Sequence, residues 1–456
     1  MLKILYIHYS LEFYIIAAPS PARPLAFLFF VVRNADRMLL SICAIRLLII
    51  GHLLAAPFAL VGQSQQRGFH LTNQRDRRVA IPFELHSNLI VIPVKVNDGE
   101  DLRFILDTGV RTAILTNGGY VDGIPSVNDR IISLMGAGNR GEISAYVSSG
   151  VSFALPDGVA AVGNSILILK DDYLQLDSFL GTRIHGILGY ELFSRFVVEI
   201  DYMRQQIVLH RPDTFRPRRS FKEVPISILD TKPYIDGVRL RLNDTTEIAI
   251  RLMIDTGASH SLMLNQTADE RITVPDKNIS GYLGRGLSGE IYGHMARVPY
   301  LSIDKFDLKD VTASFPEFSE FTETLSRRIP HQGNIGGSVL KRFRVIFDYA
   351  NGKLYLKKNR MFRTPFEYNM SGMEVAATGP LLTDLTVSKV VANSPAARAG
   401  IREGDVIVSV NGHQPPELTV ATFNSMMSLR PNKKIRLKFY RYGAVMKRKF
   451  RLESLL

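Results

Sequence analysis

Cysteine is all but missing from this chain of 456 residues: there is one, Cys43, and it lies in an apolar N-terminal stretch. The remainder can therefore hold no disulfide, no cysteine-ligated metal and no thiol nucleophile, and the redox compartment stays open. The ten histidines show no metal-ligand spacing, and His260, behind Asp255-Thr-Gly-Ala-Ser, stands alone. Neither a Gly-x-Ser-x-Gly turn nor a phosphate-cradling P-loop occurs, which removes the usual signs of serine hydrolases and of P-loop nucleotide enzymes. No metal and no other cofactor is expected. Lysine and arginine outnumber acids to a net charge of +13, with basic segments at 211–222 and 433–451. Neither segment comes with a recognition motif, so nucleic acid is not an expected partner. A solvated face, or one turned to anionic lipid, is the better reading.

What the chain has is length and apolar content. At roughly 150 residues per domain it has room for about three domains. Its 46% hydrophobic and 22% charged residues are those of a globular protein. Residues 1–64 read as an N-terminal targeting segment rather than as fold. Arg46 precedes an apolar run from Leu47 to Val61, and Gly62-Gln63-Ser64 is a small-x-small site suited to signal cleavage. A signal peptide is expected over 38–64, with Met38 as the true start. The competing reading is an uncleaved anchor, since 38–61 is about long enough to cross a bilayer. Either way the protein is expected to be exported, periplasmic or membrane-associated.

The rest is organised around a repeat. Phe104-Ile-Leu-Asp107-Thr108-Gly109 returns as Leu252-Met-Ile-Asp255-Thr256-Gly257, and each is an apolar run that delivers one carboxylate onto a tight turn. Asp107 to Gly136 and Asp255 to Gly284 both span 29 residues, and both arrive at Gly-x-Gly-x-x-Gly-Glu-Ile: Gly136, Gly138 and Gly141, then Gly284, Gly286 and Gly289. Gly186-Ile-Leu-Gly189 returns as Gly333-Asn-Ile-Gly336, and Arg195-Phe leading to Asp201-Tyr as Arg342-Phe leading to Asp348-Tyr. A period this long marks a duplicated lobe and not a solenoid, whose repeats run to about 20–50 residues. Short strands broken by Gly, Asn and Asp dominate both copies, so two mainly β lobes are expected over 78–211 and 221–358. Asp201 and Asp348 end apolar strands and read as turn formers. The glycine runs lead into strand-like residues rather than a helix, so they are hairpin tips and not dinucleotide loops.

Paired Asp-Thr-Gly turns resemble those of aspartic peptidases, of the pepsin and retropepsin kind. The resemblance implies that Asp107 and Asp255 form a catalytic dyad, that Thr108 and Thr256 hydrogen-bond across the lobe contact, and that Gly109 and Gly257 let backbone amides face the carboxylates. The six glycines of the two runs would be the flexible hairpins that close over substrate, and the Gly186 segment the floor beneath its turn. The chain departs from the family at Asn334, where an apolar floor residue is expected, and at Val110-Arg111. Val110 and Ala258 also stand where many members carry a hydroxyl that donates to the carboxylate. Without that donor the pair should titrate higher, and the activity optimum should lie in mildly acidic conditions.

Beyond Arg363-Thr-Pro365 the composition changes. The run Ser394-Pro-Ala-Ala-Arg-Ala-Gly400-Ile-Arg-Glu-Gly404-Asp405-Val-Ile, ending in Asn411-Gly412, resembles the PDZ signature, so a small α+β domain is expected over 372–456. Such domains add an extended peptide to a sheet edge. The peptide loop is expected at Gly379-Pro380-Leu381-Leu382, where Pro380 lacks an amide a carboxylate would need. The whole implies an aspartic endopeptidase whose partners are a polypeptide substrate and a peptide or protein ligand at the PDZ domain. A non-catalytic peptide-binding protein that keeps both folds is the alternative.

Overall fold

The computed structural model describes residues 68–120, 131–139, 141–317 and 329–456. The targeting segment expected over 1–64, with Cys43 and Met38, lies outside them, and among the described residues no helix is long and apolar enough to cross a membrane.

Strands dominate. The first lobe is a nine-stranded sheet, and the second an eight-stranded one. In each, the strand that ends on Asp runs beside a short floor strand. Asp101–Leu106 pairs in parallel with Gly186–Leu188, and Glu247–Ile254 with Gly333–Ile335. Leu102 and Phe104 enter the main core, while Ile105 packs on the opposite face with Ile114 and Ile187. Both faces of this strand are covered, so its end reads as a continuous apolar run rather than as an alternation.

A six-stranded sheet joins the lobes. It draws Arg78–Pro82, Val197–Asp201 and Gln206–His210 from the first, and Lys222–Pro225, Phe343–Asp348 and Lys353–Lys358 from the second. Its central strands meet antiparallel with Val198 opposite Phe347 and Ile200 opposite Val345, a register that maps onto itself when the lobes are exchanged. Asp201 accepts the amides of Met203 and Arg204, and Asp348 that of Asn351. Both are turn-forming carboxylates.

The lobes extend past the expected limits. Gly68–Leu71 already pairs with Val159–Leu169, because the first sheet needs that strand to close its edge. At the other end the fully buried Arg342 reaches beyond residue 358. Its guanidinium bonds the carbonyls of Met361 at 3.1 Å and Pro365 at 3.0 Å and that of Thr364, and lies 3.6 Å over the Phe366 ring. A buried guanidinium has to be surrounded by acceptors, and this loop supplies them.

The C-terminal body is a five-stranded antiparallel sheet with two helices. Ser394 caps Pro395–Arg398 by accepting the Ala397 amide at 3.2 Å, and Gly400, at φ +74°, lets the chain leave the helix. Its core already includes Tyr368 and Met370, so it begins ahead of the expected residue 372. Ile279 and Met295 of the second lobe pack against that core.

Candidate active site

Each Asp turn is fixed from below before it meets the other. The Asp107 amide donates to Leu188 O and that of Asp255 to Ile335 O, both at 2.9 Å. The glycines that close the floor segments lie so near the turns that a Cβ on Gly189 would run into the carbonyls of Asp107 and Val110. One on Gly336 would run into those of Ala258 and His260. Glycine is required there by space alone.

The two turns are then locked to each other. The Thr108 amide donates to Thr256 Oγ1 and the Thr256 amide to Thr108 Oγ1, each at 3.0 Å. The hydroxyls pass the bond on, Thr108 Oγ1 to Ile254 O at 2.7 Å and Thr256 Oγ1 to Leu106 O at 2.8 Å. Both threonines are fully buried, so every donor and acceptor in this square is matched away from water. Around it Asn88 Nδ2 bonds Ser259 O across the lobes at 2.8 Å, and Arg111 pairs with Asp230.

This lock sets the Asp107 and Asp255 carboxyls beside each other: a Cβ on Gly109 would lie 3.0 Å from Asp107 Oδ1 and 3.6 Å from Asp255 Oδ1. Gly109 N–H donates to Asp107 Oδ1 at 2.6 Å and Gly257 N–H to Asp255 Oδ1 at 3.0 Å. A Cβ on Gly257 would strike the Asp107 carboxyl. Burial first, and then the Asp255 charge, push the Asp107 carboxyl up from 3.8 to about 8, against the Gly109 amide that favours its charged form. The Tyr349 hydroxyl, buried without a partner, is held well above its usual range by burial and then by the charge on Asp107.

The sequence reading passed over one contact. Asn334, on the second floor strand, donates from Nδ2 to Asp255 Oδ2 at 3.1 Å, and its Oδ1 meets His260 Nε2 at 2.9 Å. The hydroxyl absent at Ala258 is thus replaced, for Asp255, by a donor from below. The one available signal was the polar residue in an otherwise apolar floor segment.

The hairpin glycines divide. Gly136 N–H donates to Ser288 Oγ at 3.1 Å and Ser288 N–H to Ala137 O at 2.9 Å, so the two tips touch. A Cβ on Gly138 would meet Ser288 and the amide of Gly289, and one on Gly286 would meet Ala137. Gly141 and Gly284 have open space beside them and take no part in this contact.

The PDZ residues require a correction. Gly379, Leu381 and Leu382 form the turn between paired strands Met373–Thr378 and Asp384–Val390, with Leu381 81% exposed. Met373–Thr378 is one of the sheet's two edge strands, and the helix packed beside it is Val420–Met427. The closed end of that groove is the turn before the strand, where the Met370 amide bonds Met427 O at 2.9 Å. Chain order hid this, because the strand that opens the domain forms the edge. The short first-lobe helix Leu176–Leu180 packs against both the edge strand and Val420–Met427. A Cβ on Gly181 would lie 3.0 Å from Val420 Cγ2.

A cavity of about 210 Å³ lies behind the second Asp turn, between it and the C-terminal body, lined by Ser259, His260, Tyr282 and Glu374 among others. Burial pushes the Glu374 carboxyl up to about 7. Among the described residues no group of three or more His, Cys, Asp or Glu side chains is placed to hold a metal ion.

Two family models match parts of the chain. Residues 238–339 match the family model described as aspartyl protease, and 386–441 match that described as PDZ domain. The chain thus carries an aspartyl protease domain and a C-terminal PDZ domain. No curated protein matches it. Among solved structures it is similar to the crystal structure of aspartic proteinase from Irpex lacteus, at 13% identity and a TM-score of 0.40, over 63% of this chain and 99% of that one.

Proposed function

We propose that this protein is an aspartic endopeptidase in which Asp107 and Asp255 hydrolyse peptide bonds by activating a water molecule. The observation that supports it is the pair of carboxylates held side by side by the crossed threonine bonds. At that separation the two cannot both be ionised without large repulsion, so they share one proton. The charged member takes a proton from water as its oxygen bonds to the scissile carbonyl carbon, and the protonated member gives its proton to the carbonyl oxygen. Collapse of the resulting diol breaks the C–N bond as the nitrogen is protonated, and the dyad is restored. Hairpin glycines that let backbone come close would hold an extended polypeptide over the pair.

The PDZ groove between Met373–Thr378 and Val420–Met427, against both walls of which the first-lobe helix Leu176–Leu180 is packed here, is proposed to take a segment of substrate or of a partner protein as an added strand once that helix moves aside. Export, with a membrane-associated form if the segment is retained, is proposed from the run that Arg46 opens. A mature protein beginning at Gln65 is the expected product, and an intact N-terminus in purified full-length material would reject cleavage.

The dyad is tested with Asp107→Asn and Asp255→Asn, purified and assayed on an unfolded protein. Each should lose hydrolysis by at least about a thousandfold with an unchanged circular dichroism spectrum, because a lone carboxylate cannot make both proton transfers. Near-normal turnover by either variant would reject the assignment.

A further inference from the structure

The two halves of the dyad are not equivalent, and the difference lies in the floor. Asp255 receives two donors, Gly257 N–H on Oδ1 and Asn334 Nδ2 on Oδ2. Asp107 receives one from its surroundings, Gly109 N–H. By the repeat, Asn334 corresponds to Ile187 and His260 to Thr112, so the first lobe has no counterpart to this contact. The direction of the chain follows from its chemistry. The amide turns its nitrogen, which only donates, to Asp255, and its oxygen, which only accepts, to His260. This places a proton on His260 Nε2.

We infer that Asn334 fixes Asp255 as the charged, water-activating member of the dyad and leaves the shared proton on Asp107, with His260 acting as the positioning residue that holds the Asn334 amide in that orientation. A hydrogen bond to a carboxylate favours its charged form, and the partner one hydrogen bond away then keeps the proton. In the hydrolysis proposed above, on which the assignment of water activation rests, Asp255 takes the proton from water and Asp107 protonates the carbonyl oxygen. The other groups facing the pair are few. Tyr234 and Tyr349 face Asp255, and Lys232 and Tyr349 face Asp107. Lys232 is the only cation among them, and it favours charge on Asp107, so it opposes the asymmetry rather than creating it. Burial lowers His260 from its usual value, which favours the neutral ring.

The test is a pH titration of the aspartate carboxyls by ¹³C NMR, with Asp107 and Asp255 signals assigned from the two Asn variants, on wild type, Asn334→Ile, His260→Ala and His260→Gln. Asn334→Ile installs the first-lobe residue. It should raise the lower pKa of the pair by about one unit and move the acid limb of kcat/KM by the same amount, with the alkaline limb unmoved. His260→Ala should produce a smaller shift in the same direction, and His260→Gln should reverse it, since a glutamine amide can donate to Asn334 Oδ1. If Asn334→Ile does not fold, Asn334→Leu has a similar size and no donor, and should raise the lower pKa in the same way. A folded variant that lacks the Asn334 donor and whose carboxyl titration is unmoved overturns the inference even if hydrolysis continues. A titration shifted by Asn334→Ile, with a wild type that cuts no peptide, supports the charge asymmetry and rejects the peptidase.

Discussion

Asp107 shows how one residue ties catalysis to stability. Its carboxyl is ordinary at 3.8 when exposed and is pushed to about 8 here, by burial and then by Asp255. Below the lower value it is protonated whether folded or unfolded, and its contribution to stability is full. Between the two values only the folded chain holds the proton, so rising pH favours unfolding, until the loss is complete above the folded value. Thermal stability of the wild type should therefore decline from about pH 4 to about pH 8, and Asp107→Asn, which has nothing to titrate there, should flatten the decline. Parallel melting curves for the two proteins across that range would show that Asp107 is not the group being titrated. The same shift sets the alkaline limit of hydrolysis. A pair that keeps its proton to neutral pH should work beyond the mildly acidic range that the missing hydroxyls suggested, while the Asn334 donor extends the acid side.

The elements that carry these residues are short and depend on close approach. The hairpin tips meet through Ser288 against Gly136, Ala137 and Gly138, and Gly138 lies at φ +135°, where a side chain is strained as well as obstructed. Gly138→Ala should part the tips and lower kcat/KM roughly tenfold or more, without changing the melting temperature by much, since substrate would no longer be held in register. Gly284→Ala is the comparison, because its side chain would enter open space. Equal losses in steady-state assays of the two would show that backbone strain matters and the tip contact does not. The short helix Leu176–Leu180, seated against the PDZ edge strand and Val420–Met427, links the first lobe to the peptide groove.

For the whole molecule, the question is where it can be cut. A chain ending at residue 358 loses the carbonyls of Met361, Thr364 and Pro365 that surround the Arg342 guanidinium, and with them Phe362 and Phe366, which cover Phe306, Phe343 and the guanidinium. A chain of residues 65–366 keeps that clasp and should fold, with Ile279 and Met295 newly exposed where the PDZ core covered them. Residues 65–358 should be unfolded or insoluble. Circular dichroism and gel filtration of the two truncations would decide it, and a well-folded 65–358 would show that the loop is dispensable.

Local chemistry was enough to mark the two Asp-Thr-Gly turns, their glycine hairpins and the PDZ run, because each depends on residues close in sequence and the first two are repeated. From the duplication it also followed that the lobes would be alike. Three things came only from folding. The six-stranded sheet is shared between lobes, since its central strands, Val197–Asp201 and Phe343–Asp348, are far apart in the chain and neither names the other as partner. The PDZ groove lies at Met373–Thr378 rather than at Gly379 to Leu382, because being an edge depends on which strands pair and not on their order. The asymmetry of the dyad depends on Asn334 and His260, which stand 74 residues apart and become neighbours only when the floor strand slides beneath the turn. A hydrogen bond extends about 3 Å, so its partners are set by tertiary position, whereas a turn is set by the residues that make it.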